Sequence, residues 1–147
     1  MAAIRRAEAT WSGALTSGSG EVSAISSGAF SALPVTWASR TETSDGRTSP
    51  EELVAAAHAS CFAMALSGAL ARAGTPPERL DVSAEVTFDK LDAGWRVVSS
   101  ALTVRGRVPG SNAADFEAAA QSTKDGCPIS VALAGNVALS VAATLEG

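Results

Sequence analysis

From Leu53 to Ala71 the chain carries 19 consecutive residues without a charge, LVAAAHASCFAMALSGALA, and this stretch holds the only histidine and one of the two cysteines. Its flanks read as helix ends. Ser49 offers a hydroxyl N-cap, Pro50 suits the first turn, and Glu52 stands three residues after the cap, where it can close a capping box. Gly74 supplies the left-handed residue that commonly ends a helix. With no charged face, such a helix has apolar surface all round and is expected to be buried on every side. A membrane crossing takes roughly 20 apolar residues. Here, however, eight of the 19 are Ala, and His58, Ser60, Ser67 and Gly68 lie among them. The segment therefore lacks the Leu and Ile content that favours insertion. No membrane partner is expected; the small side chains point to close packing against a sheet or a second copy of the helix.

At 147 residues the chain is expected to form a single domain over 1–147, large enough to bury a core without disulfide or metal staples. Seven residues are aromatic and none is tyrosine, so that core must be built mainly from Ala, Val and Leu. Such a core gains less per residue than an aromatic one, and dimerisation would add buried surface. The charge balance, 11 basic against 15 acidic residues with no basic block, argues against nucleic acid as a partner. Arg5 and Arg6 are followed by no apolar segment of the kind an export signal requires, so a cytoplasmic location is expected, with both cysteines as thiols by default.

Two strand-like runs, from Ala7 to Leu15 and from Glu21 to Ser27, flank a Ser17–Gly20 turn and read as a hairpin. Val35 to Arg40 reads as a further strand, with Arg40 projecting from the face opposite Trp37. After the long helix, Leu80 to Asp89 alternates strictly between apolar and polar residues, the clearest strand pattern in the chain. Asp92-Ala93-Gly94 turns into a partner strand from Trp95 to Gly106. Asn112 or Ser111 caps a helix from Ala113 to Lys124, with Phe116, Ala119 and Ala120 inward, and Gly126 stops it. Pro128 to Leu133 forms a short helical turn, and Val137 to Leu145 a last strand. The order of elements indicates an α+β fold with antiparallel sheets around a long central buried helix.

Few residues can carry chemistry. Cys61 sits about three turns into the helix, beyond the reach of its dipole, and reads either as a small buried hydrophobe or as a nucleophile that needs a cation from elsewhere, with Arg40 the nearest candidate in sequence. Cys127 precedes Pro128 and so falls at a helix N-cap, where backbone N–H groups favour a thiolate. Glu51, about 15 Å along the axis from Cys61, is too far to act as its base; it either favours the helix start or holds an arginine. His58, three residues before Cys61, reads as a packed, neutral histidine, with a Cys–His pair as the alternative. Cys61, Cys127 and His58 lack paired metal-ligand spacing, so no metal and no other cofactor is expected.

The segments SPEELVAAAHASCFAMALS and KDGCPISVAL, with WASR before them and VTFDKLDAGW between, resemble the OsmC branch of the OsmC/Ohr proteins, thiol peroxidases for organic hydroperoxides. The resemblance implies that Cys61 is the peroxidatic cysteine, Cys127 the resolving one, Arg40 the activator of the thiol and Glu51 the acid that orients Arg40. It also implies an intertwined homodimer, an organic hydroperoxide as substrate, and a dithiol or lipoyl-protein as reductant. The alternative is a non-enzymatic α+β dimer that binds an apolar ligand or partner, with the cysteines serving only as core and cap.

Overall fold

The computed structural model describes residues 1–147, whose contacts gather into two compact units, Met1–Leu53 and Val54–Gly147. In the first unit, β1 (Ala7–Ser12), β2 (Ser19–Ala24) and β3 (Leu33–Val35) form an antiparallel sheet in the order β1-β2-β3. The expected hairpin is present, in register from Ala7 opposite Ala24 to Ser12 opposite Ser19.

The expected strand from Val35 to Arg40 is not. β3 stops at Val35, and α1 (Trp37–Thr41) begins immediately after Thr36. The reason is a capping box: the Ser39 N–H donates to Thr36 Oγ1 and the Thr36 N–H to Ser39 Oγ, each at 3.0 Å. Reciprocal satisfaction of two orphan donors is worth roughly 1 kcal/mol, enough to override the β-branched run at Val35-Thr36. Trp37 and Arg40 consequently share a helical side, rather than opposite faces of a strand. Ser39 Oγ also donates to Thr48 O at 3.0 Å, and the Thr48 N–H to Pro34 O at 3.0 Å, tying α1 and β3 to the start of the next helix.

That helix, α2 (Pro50–Arg72), starts as its sequence indicates, the Glu52 N–H donating to Ser49 Oγ at 3.1 Å. The Glu52 carboxylate takes the Thr48 hydroxyl at 2.7 Å instead of returning to the cap backbone. Gly74, at φ 88°, follows the last turn. By length and composition α2 could cross a membrane, and burial on every side is not what the fold gives it. Within this chain only a stripe is buried, Glu51, His58, Phe62, Leu66 and Leu70, while Ala56, Ala57 and Ser60 are exposed and Met64 is 76% exposed. Side chains four apart lie one above the other on a helix, so one face alone meets the core.

In the second unit, β4 (Arg79–Leu91) pairs antiparallel with β5 (Gly94–Arg107), as the alternation from Leu80 indicates. Leu80, Val82, Ala84, Val86 and Phe88 are half-buried, and the intervening residues are exposed. α3 (Ala113–Gly126) is capped by Asn112, whose side chain accepts from the Asp115 N–H, and runs two residues beyond Lys124. α4 (Pro128–Leu133) follows directly. The last strand, β6 (Ala138–Glu146), runs parallel to β5 and completes the order β4-β5-β6. This departs from the all-antiparallel expectation: two helices intervene between β5 and β6, and a crossover of that length returns the chain in the same direction. The core joins Phe62, Leu66 and Leu70 of α2 to Leu102 and Val104 of β5 and to Phe116 and Ala120 of α3. Gly106 permits this approach, because a Cβ there would stand 2.5 Å from Phe116 Cζ.

Candidate active site

The residues singled out from sequence fall into two pairs, one in each unit. In the first, α1 presents Arg40 and the first turn of α2 presents Glu51. Arg40 Nε donates to Glu51 Oε1 at 3.0 Å and Oε2 at 3.1 Å, and Nη2 donates to Oε1 at 2.8 Å. Such a fork on a carboxylate fixes the guanidinium plane as a lysine could not. The Glu51 side chain is only 7% exposed and that of Arg40 32%, so the acid is the enclosed partner. The Arg40 guanidinium also lies 5.9 Å from the Trp37 ring centroid, within cation–π range. It lines a cavity of about 250 Å³ whose other walls include Trp11, Leu15, Val35 and Trp37. An arginine held on one side by a buried carboxylate and bordered on another by apolar side chains is suited to bind a small molecule with a polar head and an alkyl group.

In the second unit the two thiols come together. Cys61 on α2 is half-buried, and Cys127, at the junction of α3 and α4, is 1% exposed. Burial pushes the Cys61 thiol up from its ordinary range; the hydrogen bond and charge of the neighbouring Cys127 thiol push it further, and a hydrogen bond from the Ile129 backbone acts in the opposite sense. A shift upward is what apolar surroundings do to a thiol. Cys127 is the N-cap of α4, its sulfur accepting from the Ser130 N–H at 3.4 Å with Ser130 Oγ at 3.1 Å. Two neighbouring sulfurs, one in a half-open position and one enclosed, can be oxidised in succession to a disulfide.

His58 is neutral by environment, since burial lowers its tendency to take a proton. It is not merely packed, however. Nδ1 lies 2.6 Å from Ser100 Oγ and Nε2 2.8 Å from Ser130 Oγ. Sequence reading missed both serines, which stand 42 and 72 positions from His58, and no local spacing announces such partners. No group of three or more His, Cys, Asp and Glu side chains is placed to hold a metal ion.

The chain is similar to known proteins in both structure and sequence. Structurally, the chain is similar to the organic hydroperoxide resistance protein OhrB of Bacillus subtilis, with a TM-score of 0.73 over 96% of this chain and 98% of that one; at 20% identity this likeness concerns the fold. In sequence it is 40% identical to peroxiredoxin OsmC of Escherichia coli over 139 residues, covering 95% of this chain and 96% of that protein. It is 33% identical over 92 residues to the organic hydroperoxide resistance protein OhrA of Bacillus subtilis, covering 61% and 62% of the two chains. The OsmC-like protein family profile matches residues 43–142, from the loop before α2 into β6, and the chain belongs to that family.

Proposed function

We propose that this protein is a cysteine-based peroxidase that reduces organic hydroperoxides to alcohols. The observation that carries the reading is that the two cysteines of the chain, Cys61 and Cys127, are neighbours, in a chain 40% identical over nearly its whole length to a protein named a peroxiredoxin. The Cys61 thiolate attacks one peroxide oxygen and the O–O bond breaks. The alkoxide leaves and takes up a proton as the alcohol, and Cys61 becomes a sulfenic acid. Cys127 sulfur then attacks the oxidised sulfur, forming the Cys61–Cys127 disulfide with release of water. A dithiol or lipoyl-protein reductant returns both thiols by exchange.

An ordinary cysteine with a pKa near 8.5 is only about 3% thiolate at neutral pH, and a thiol pushed up by burial is less ionised still. The reaction therefore needs a cation, and Arg40 is assigned that role, with Glu51 fixing its orientation. The cavity beside Arg40 offers apolar walls for the alkyl group. The protein acts as a homodimer, whose second copy would cover the exposed small-residue face of α2. Mass spectrometry after one equivalent of tert-butyl hydroperoxide tests the mechanism: an internal Cys61–Cys127 disulfide is expected, and a product in which Cys127 remains a free thiol would refute it.

A further inference from the structure

His58 is the one buried titratable group for which the two-thiol reaction has no use. Its ring is 0% exposed, as is Ser130, and its two nitrogens meet hydroxyls from two other elements, Ser100 on β5 and Ser130 on α4. Either hydroxyl would satisfy a buried imidazole. What sets Ser130 apart is its second partner: Oγ lies 3.1 Å from Cys127 Sγ, while its own backbone N–H donates to the same sulfur. Ser100, His58, Ser130 and Cys127 thus form one continuous chain of hydrogen-bonding groups that ends on a thiol, and Cys61 neighbours that thiol. No carboxylate, arginine or lysine hydrogen-bonds to any member of the chain. The groups that meet the imidazole are the β5 and α4 hydroxyls, and the only titratable groups further along the chain are the two thiols.

We propose that His58 and Ser130 relay the proton of the Cys127 thiol during disulfide formation, an inference that rests on the two-cysteine peroxidase reading. A hydroxyl donates and accepts at once. Before reaction, the Cys127 S–H donates to Ser130 Oγ, the Ser130 O–H donates to His58 Nε2, and the His58 Nδ1–H donates to Ser100 Oγ. Passing one proton along each link leaves a Cys127 thiolate that accepts from both the Ser130 hydroxyl and the Ser130 N–H, and an imidazolium whose Nε2–H points at Ser130. The thiolate attacks the sulfur of the Cys61 sulfenic acid. The S–S bond forms, the S–O bond breaks, and the electron pair leaves with oxygen as hydroxide. His58 returns its proton through Ser130 to that oxygen, giving water. The sulfenic acid and the thiol become a disulfide and one water with no net proton gained or lost. Burial keeps His58 neutral beforehand, so the ring is free to receive the proton and quick to surrender it.

The test separates the two chemical steps in full-length protein mixed with one equivalent of tert-butyl hydroperoxide. Sulfenic acid formation is read by trapping with a 1,3-dione, and disulfide formation by loss of the second thiol, from pH 5.5 to 8.5. Proton transfer by a positioned group contributes on the order of 10² to 10⁴ in rate. Ser130→Ala and His58→Gln are each expected to slow the disulfide step at least about tenfold relative to the sulfenic step at neutral pH. The deficit should shrink as pH rises and solvent hydroxide takes over the removal of the proton, and Ser130→Thr, which keeps the hydroxyl, should restore the rate. Wild-type speed in both deletion variants overturns the relay, as does a deficit equal at every pH, the mark of a displaced sulfur. Should one variant fail to fold, the other decides. Wild-type protein that never yields a sulfenic acid would instead overturn the peroxidase reading.

Discussion

Removing either member of the Arg40–Glu51 pair deletes the same three hydrogen bonds, yet the two losses should not be equal, because the partners differ in exposure. The Glu51 side chain is 7% exposed and that of Arg40 32%. In Arg40→Ala the carboxylate stays behind, enclosed and unpaired. Breaking a buried pair from that side costs about 3–5 kcal/mol, and the partly open position of the arginine places the value near the lower end. In Glu51→Ala the guanidinium is left, and it can turn to water and still stack on Trp37, so the loss is about that of a charged hydrogen bond, 1.5–3 kcal/mol, less the rehydration gained. Arg40→Ala is therefore expected to be the more destabilising by roughly 1–2 kcal/mol. The double variant should sit close to Glu51→Ala, so the coupling energy should nearly equal the whole Arg40→Ala loss, about 3 kcal/mol. Urea unfolding of the four proteins, with equal m-values required before the midpoints are compared, measures all of this. Arg40→Lys, which keeps the charge and loses the fork, should fall between wild type and Arg40→Ala. A Glu51→Ala variant as unstable as Arg40→Ala, or more so, would refute the reasoning, since enclosure would then not decide which charge suffers.

Three further outcomes are expected. Burial raises the Cys61 thiol and the neighbouring Cys127 thiol adds to that rise; Cys127→Ala should therefore move the pH midpoint of Cys61 alkylation downward, and an upward move would contradict the added effect of Cys127. Gly106→Ala puts a methyl 2.5 Å from Phe116 Cζ and should cost about 1–3 kcal/mol, partly recovered with Phe116→Leu, as measured by denaturant unfolding. The second-order rate with tert-butyl hydroperoxide should exceed that with hydrogen peroxide, each buried methylene being worth roughly 0.8 kcal/mol; equal rates in stopped-flow would show that the apolar walls near Arg40 do not take the alkyl group.

Several elements could be read directly because their causes are local. The alternation from Leu80 to Asp89 fixes the inner face of β4, and Cys127-Pro128 fixes the start of α4. Where the reading failed, the cause lay beyond the residues concerned or in competition among them. Val35-Thr36 has strand propensity, but the hydroxyls of Thr36 and Ser39 cap each other and turn the chain into α1, which changes the side from which Arg40 projects. The 19 uncharged residues of α2 show that no face is charged and cannot show how many faces meet the core; one stripe does so within this chain. β6 was legible as a strand, while its direction depends on the two-helix crossover before it. Cys61 and Cys127 stood out by rarity, as the only two cysteines. Ser100 and Ser130 are serines among many, and only the long-range approach of β5 and α4 to His58 gives them a role.

The crossover also orders the folding of the second unit. β4 and β5 close through two residues, Asp92 and Ala93, whereas β5 and β6 close through the 30 residues 108–137. Loop-closure entropy grows with the logarithm of length and disfavours the second event by about 2 kcal/mol relative to the first. The hairpin should form early, with high φ-values at positions such as Val82 and Leu102, and β6 should dock late with values near zero. Cys127 lies on the crossover, in the segment that settles with β6. The two thiols therefore meet only in the last stage of folding, and a partly folded chain exposed to oxidant holds Cys61 without its partner.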